Sequence, residues 1–167
     1  VSQSDLLDAI MTALKGPQLE STSVSQIRES KQTLRVLVAE DTPANQKVIN
    51  AILKKRGHQC VIADNGREAV DYLRNESFDV VLMDVQMPTM DGLQATAMIR
   101  ENEYGSGEHT PIIAMTAYAM RGDRDKCIAA GMDSYISKPI DAKKLILILE
   151  RLAMRHQKTN LPGNSLA

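Results

Sequence analysis

The chain has 167 residues, a formal net charge of −1, 43% hydrophobic residues and 25% charged residues, values that are ordinary for a globular domain with extensions. The near-neutral charge argues against a dedicated nucleic-acid binder, and the 3% aromatic content argues against a site built on stacked rings. Cys60 and Cys127 form no CxxC motif, so we expect free thiols and a cytoplasmic domain. No apolar run approaches the roughly 18 residues of a membrane helix, so we expect no direct membrane contact, whether or not an intact parent protein is membrane-anchored.

The first 33 residues differ in pattern from the rest of the chain. The segment 1–14 predicts a short amphipathic helix over residues 4–14, with Ser4 as its N-cap and leucine and isoleucine residues at helical spacing. Residues 15–33 are rich in Ser and Thr and show little periodicity, which predicts a linker. At the other end, residues 155–167 predict a flexible tail.

From Leu34 onward, short apolar runs alternate with helical patterns. The apolar runs are continuous and do not alternate with polar residues, as is typical of strands buried on both faces of a parallel sheet. Five such pairs predict a doubly wound α/β fold. The predicted strands are 34–40, 58–63, 78–84, 110–116 and 133–137, and the predicted helices lie near 43–56, 66–76, 91–101, 120–130 and 141–155.

Polar residues stand where the predicted strands end. The first strand runs into Glu40 and Asp41, the third ends in Asp84, the fourth in Thr116, and the fifth runs into Lys138. Because the carboxyl ends of parallel strands line one crevice, we expect these side chains to converge on one edge of the sheet.

Three carboxylates at one edge repel one another at neutral pH and are stabilised by a hard divalent cation. Oxygen ligands with room for water suit Mg²⁺. A metal ion and an ammonium group beside a carboxylate can receive a phosphoryl group, because a carboxylate can itself be the phosphoryl acceptor. The pattern therefore predicts Mg²⁺-assisted phosphoryl chemistry.

Four segments carry a resemblance to a known family. VLVAEDTPANQKV, VVLMDVQMPTMDG, IIAMTA and YISKPI resemble the signature segments of a response-regulator receiver domain, and most closely the receiver of a hybrid sensor histidine kinase. The resemblance extends over residues 34–154. It implies a flavodoxin-like (βα)5 fold with strand order 2-1-3-4-5 and phosphorylation by a histidine-containing phosphotransfer domain or a histidine kinase core.

The resemblance also assigns roles to residues. Asp84 matches the phosphoacceptor, Asp41 a direct Mg²⁺ ligand, and Glu40 its neighbour that reaches the metal through water; the Gln86 main-chain carbonyl matches the backbone ligand. Lys138 matches the lysine that pairs with the phosphoryl group, in front of a proline whose peptide bond is typically cis in the family. The acidic pair here is Glu-Asp where Asp-Asp is the family's commoner form, a departure that leaves metal binding in place.

Two further residues match the family's switch. Thr116 matches the switch hydroxyl and Tyr135 the switch aromatic, whose movement would alter a surface that binds a regulatory protein partner. The simpler alternatives are that Thr116 is a buried β-branched strand residue and that Tyr135 is half-buried core.

Several other functions compete with a phosphorelay receiver that catalyses only its own phosphorylation and dephosphorylation. A degenerate receiver would act as a phosphorylation-independent protein-binding module. A flavin-binding electron carrier would need a Ser/Thr/Gly-rich loop where EDTPAN stands, and an aspartyl phosphatase would need an acid where Gln86 stands. The residues present favour the receiver.

The first 14 residues also resemble residues 140–153, with Leu6 aligned to Leu145 and Ile10 to Leu149. The later copy follows Lys138-Pro139 in the chain. We therefore expect residues 1–14 to be the last helix of a preceding receiver-like domain in a longer protein; the alternative is an ordinary interdomain or dimerising helix.

Overall fold

A computed structural model of the chain describes residues 33–117 and 121–159, with side chains as far as Met154 in the last helix. The described strands are β1 (Arg35–Ala39), β2 (Gln59–Ala63), β3 (Val80–Asp84), β4 (Ile112–Thr116) and β5 (Ser134–Ser137). The described helices are α1 (Pro43–Lys55), α2 (Gly66–Asn75), α3 (Gly92–Glu103), α4 (Arg121–Ala130) and α5 (Ala142–Thr159).

The five strands form one parallel sheet in the order β2-β1-β3-β4-β5. In the central register Val38 pairs with Leu82, and Leu82 pairs with Ile113. Every residue of β3 and β4 is buried, which is why these strands read as unbroken apolar runs. The predicted flavodoxin-like (βα)5 fold and its strand order are confirmed.

Two apolar layers hold the helices against the sheet. On one face, alternate strand residues such as Val38 and Leu82 pack with Ile49 of α1 and Leu149 of α5. On the other face, the intervening strand residues pack with α2, α3 and α4, whose buried contributors are Ala69, Val70, Ala95, Ile99 and Cys127. With both faces covered, the edge of the sheet at the strand ends remains accessible for a site.

Local sequence features mark the starts of three helices. In α1, Pro43 occupies the first turn after Thr42, whose side chain makes no capping hydrogen bond. The Asn65 side chain accepts a hydrogen bond from the Glu68 N–H at the start of α2. Asp91 and Gln94 form a reciprocal capping box at α3. These caps fix the helix starts next to the strand ends.

The last helix is longer than predicted. It continues to Thr159, through the first five residues of the segment 155–167 that was expected to be a flexible tail. The reason is local: the first helix-breaking residues after Leu152 are Pro162 and Gly163, so nothing in residues 153–159 ends the helix.

The remaining expectations for the chain ends, the helix at 1–14, the linker from 15 to 32 and the tail from residue 160, lie outside the described residues. In the part of the chain that is described, no helix is long and apolar enough to span a membrane.

Candidate functional site

The predicted site residues meet at the carboxyl edge of the sheet. Asp84 and Thr116 are the last residues of β3 and β4, Glu40 and Asp41 directly follow β1, and Lys138 directly follows β5. These four strands are successive neighbours in one parallel sheet, so their ends lie along one edge although Glu40 and Lys138 are 98 positions apart in the sequence.

The three carboxylates form a compact acidic cluster. Glu40, Asp41 and Asp84 each offer an oxygen, and these oxygens lie within 4.8 Å of one another. Glu40 is fully buried, Asp84 is 4% exposed and Asp41 is exposed. The cluster therefore has two carboxylates below the surface and one at its rim.

Lys138 is the cation of this cluster. Its Nζ lies 2.9 Å from Glu40 Oε2 and 2.9 Å from Asp84 Oδ2. It donates a hydrogen bond to Asp84 and forms an ion pair with Glu40 Oε2, a buried oxygen for which the described residues provide no other polar partner. One ammonium thus faces two buried carboxylates, and the cluster keeps an excess of negative charge.

The pKa values of the cluster follow from this arrangement. Burial raises the pKa of Asp84 to about 6, and the neighbouring Glu40 charge adds to the effect, while Lys138 and the Gln86 N–H oppose it. Burial also raises the pKa of Glu40, but Lys138 and the Thr42 N–H outweigh it and hold this pKa below its usual value. Burial lowers the pKa of Lys138, and its two carboxylate partners overcome that effect and raise it.

The backbone around Asp84 holds the carboxylate in place. The Gln86 N–H donates to Asp84 Oδ1 at 3.2 Å. Gly92, at the start of α3, lies directly against the main chain of Asp84, and a Cβ at this position would come within 2.1 Å of the Asp84 carbonyl oxygen. A glycine is required here because α3 starts in contact with the end of β3.

A cavity of about 300 Å³ opens above Asp84. Asp41, Gln86, Thr116 and Lys138 line it together with Asp84, so the edge of the sheet brings these predicted residues to one space. Glu40 lies below the lining residues, fully buried.

Thr116 is a buried residue that faces this cavity. It is 7% exposed, and its main-chain carbonyl accepts the Lys138 N–H at 2.8 Å. The Lys138-Pro139 peptide bond is cis, as the resemblance implied. The hydrogen bond joins the end of β4 to the segment after β5 at the site.

Among the described residues, Tyr135 is not one of those that line the cavity. It is half-buried in β5 beside Ala114, and the Arg124 guanidinium lies over its ring at 4.3 Å. This contact was not predicted, and the sequence carries no signal for it, because Arg124 is one of several charged residues on α4.

Two further charged residues that line the cavity were not predicted. Asp123 and Lys126 come from α4. Their position could have been predicted: α4 follows the strand that ends in Thr116, and a helix that follows such a strand starts at the same edge of the sheet.

The residues present suit a divalent cation with oxygen ligands. The candidate donors are all carboxylates, and the cluster carries two more negative charges than Lys138 neutralises when all three acids are ionised. The buried Glu40 Oε2 has Lys138 as its one polar partner among the described residues. This chemistry matches Mg²⁺ rather than a metal that prefers nitrogen or sulfur.

Comparison with known proteins agrees with the site. The family model of the response regulator receiver domain matches residues 36–150. Hybrid signal transduction histidine kinase I of Dictyostelium discoideum is 42% identical over 137 residues, which cover 79% of this chain. The chain spans 4% to 14% of the length of the curated relatives that it matches.

Two solved structures are also similar. The receiver domain of sensor histidine kinase PA1611 from Pseudomonas aeruginosa PAO1, solved with a magnesium ion in its active site cleft, is 39% identical, with a TM-score of 0.67 over 73% of this chain and 98% of that one. The receiver domain of Saccharomyces cerevisiae Ssk1, solved with the histidine phosphotransfer protein Ypd1, is 27% identical, with a TM-score of 0.69 over 74% of this chain and 91% of that one. This chain therefore belongs to the response regulator receiver domains.

Proposed function

We propose that this domain acts in a phosphorelay, in which Asp84 accepts a phosphoryl group from a phosphohistidine donor. The observation that carries the proposal is the pairing of buried Asp84 with Lys138 at the floor of an open cavity, next to two further carboxylates. A carboxylate held in this way is a nucleophile beside groups that neutralise phosphoryl oxygens.

Mg²⁺ is the cofactor that we propose for this site. Asp41 and Asp84 would bind it through carboxylate oxygens, Glu40 would contribute through a bridging water, and the Gln86 main-chain carbonyl would be a further ligand. When bound, the ion supplies positive charge that stabilises the phosphoryl oxygens during transfer.

In the proposed transfer, one Asp84 oxygen attacks phosphorus in line with the donor nitrogen. The phosphorus–oxygen bond to Asp84 forms as the phosphorus–nitrogen bond breaks, and the bonding electrons return to the donor imidazole. Lys138 shifts from a carboxylate-bound position toward the phosphoryl oxygens, and the Thr116 hydroxyl donates to one of them. The domain thus catalyses only its own phosphorylation and, by the attack of water, its dephosphorylation.

We infer that the donor is a histidine-containing phosphotransfer domain or a histidine kinase core. The Ssk1 receiver, which was solved with a histidine phosphotransfer protein, supports this class of partner. On this chain, α1 begins beside Asp41 and presents the exposed Ala44 and half-exposed Val48 to a docking partner.

We place the domain in the cytoplasm. Cys60 and Cys127 are free thiols that pack on opposite faces of the sheet, and free thiols persist in reducing compartments.

After transfer, Thr116 and Tyr135 would act as the switch that alters the surface for a regulatory partner.

The experiment is labelling with a small-molecule phosphodonor such as acetyl phosphate, in the presence and absence of Mg²⁺. Wild-type protein should gain one phosphoryl group per chain, as measured by intact-protein mass spectrometry, and Asp84→Asn should gain none. The matched control is Asp123→Asn, which removes a different carboxylate that lines the same cavity and should leave labelling detectable.

Labelling of Asp84→Asn at the wild-type level would contradict the assignment. Failure of wild-type protein to be labelled, together with no Mg²⁺-dependent binding of beryllofluoride, would instead favour the phosphorylation-independent binding module.

A further inference from the structure

The contact between Arg124 and Tyr135 joins α4 to the strand that leads into the site. The Arg124 guanidinium carbon lies 4.3 Å from the centre of the Tyr135 ring, which is within the range of a cation–π interaction. Tyr135 stands three residues before Lys138, and in the sheet it pairs with Ala114, two residues before Thr116. The ring is thus close in sequence and in register to two residues of the acceptor site.

The same helix contacts the acceptor cavity directly. Asp123 and Lys126, on either side of Arg124 in α4, line the cavity above Asp84, and so does Cys127. Cys127 is 1% exposed and packs in the core, which fixes this part of α4 against the sheet. A displacement of α4 would therefore change both the cavity lining and the contact on Tyr135.

We propose that Arg124 is a positioning residue: it holds the Tyr135 ring in place and thereby couples α4 to the acceptor site. The physical reason is that the guanidinium covers one face of a half-buried ring whose partner on the neighbouring strand is the small Ala114, so this contact favours the ring position that it covers. The coupling to phosphoryl chemistry rests on the proposed function, whereas the positioning of the ring does not.

The test compares Arg124→Met with Arg121→Met. Both changes remove one positive charge from an exposed arginine in the first turn of α4, and Met retains an aliphatic stem over the ring. In protein carrying ¹³C-labelled tyrosine, with Tyr135 assigned through Tyr135→Phe, we expect Arg124→Met to shift the Tyr135 ring resonances and Arg121→Met to leave them unchanged.

The second readout is a double-mutant cycle on Mg²⁺-dependent beryllofluoride affinity. Arg124→Met should change the affinity by about two- to fivefold, as expected for loss of one cation–π contact, and the change should disappear in a Tyr135→Ala background. Unshifted Tyr135 resonances in Arg124→Met, or an equal affinity change in the two backgrounds, would overturn the proposal. If wild-type protein does not bind beryllofluoride, the proposed function fails, and the ring resonances still decide whether Arg124 positions Tyr135.

Discussion

Asp84 is held in an environment that disfavours its own charge. It is 4% exposed, Glu40 beside it is fully buried, and Lys138 is shared between the two. A buried carboxylate with a raised pKa lowers stability at neutral pH, because its ionisation costs more free energy in the folded state than in the unfolded state. Functional sites commonly carry such a cost in stability.

We therefore expect Asp84→Asn to stabilise the metal-free protein. The pKa of Asp84 is raised from 3.8 to about 6, so its contribution to stability is favourable below pH 4 and is lost as the pH rises through 6. Removing the charge should raise the free energy of unfolding at pH 7.5 by about 1 to 3 kcal/mol. Urea denaturation in EDTA measures this change.

The same measurement at about pH 4 gives the internal control. Asp84 is protonated in the folded protein at that pH and is as neutral as the asparagine that replaces it, so the gain in the free energy of unfolding should largely disappear. The exposed Asp64 supplies a matched variant, Asp64→Asn, which removes a carboxylate outside the buried cluster and should not show the gain in stability at pH 7.5. Equal stability of Asp84→Asn and wild-type protein at pH 7.5 would show that Lys138 fully compensates the two buried charges.

At the scale of elements, the contact between α3 and β3 depends on Gly92. A Cβ at this position would overlap the Asp84 carbonyl oxygen at 2.1 Å and would also crowd Met83 at 3.0 Å. We expect Gly92→Ala to lower the free energy of unfolding by about 1 to 3 kcal/mol and to reduce phosphoryl labelling, since α3 must move away from the backbone that carries Asp84, the proposed acceptor.

Gly122 offers the matched control. It lies in α4, and among the described residues no heavy atom beyond its chain neighbours and the surrounding helix backbone lies within 4 Å of the position that a Cβ would occupy there, so Gly122→Ala should be neutral or stabilising by up to about 1 kcal/mol. Urea denaturation of the two variants decides the point, and a similar loss of stability in both would mean that the close approach at Gly92 has no special effect.

Much of the element level was predictable from the sequence. Continuous apolar runs located all five strands to within two residues, because burial on both faces leaves that pattern. The end of α5 lies beyond the predicted one, since Arg155, Gln157 and Lys158 are polar residues typical of a tail but are also good helix formers.

The site was predictable as a set of strand ends but not in its internal contacts. Parallel topology brings Glu40, Asp84 and Lys138 together from distant parts of the sequence. That Lys138 is shared between the two acids, and that Arg124 covers Tyr135, depends on side-chain rotamers and on the seating of α4, which no spacing in the sequence encodes.

At the scale of the whole molecule, the sheet links the site to global stability. The acidic cluster draws its members from the ends of β1 and β3, the central pair of strands whose residues are almost entirely buried. A ligand that binds only the folded arrangement of these ends stabilises the entire domain by mass action.

We therefore expect Mg²⁺ to stabilise the wild-type protein against urea by an amount that grows with the logarithm of its concentration, reaching about 2.7 kcal/mol at one hundred times the dissociation constant. KCl at matched ionic strength controls for general screening of charge. Asp41→Asn removes the exposed carboxylate of the cluster with little effect on its buried part, so this variant should fold normally and respond much less to Mg²⁺. A response of wild-type size in Asp41→Asn, or an equal response of wild-type protein to KCl, would contradict a specific metal site formed by the three strand-end carboxylates.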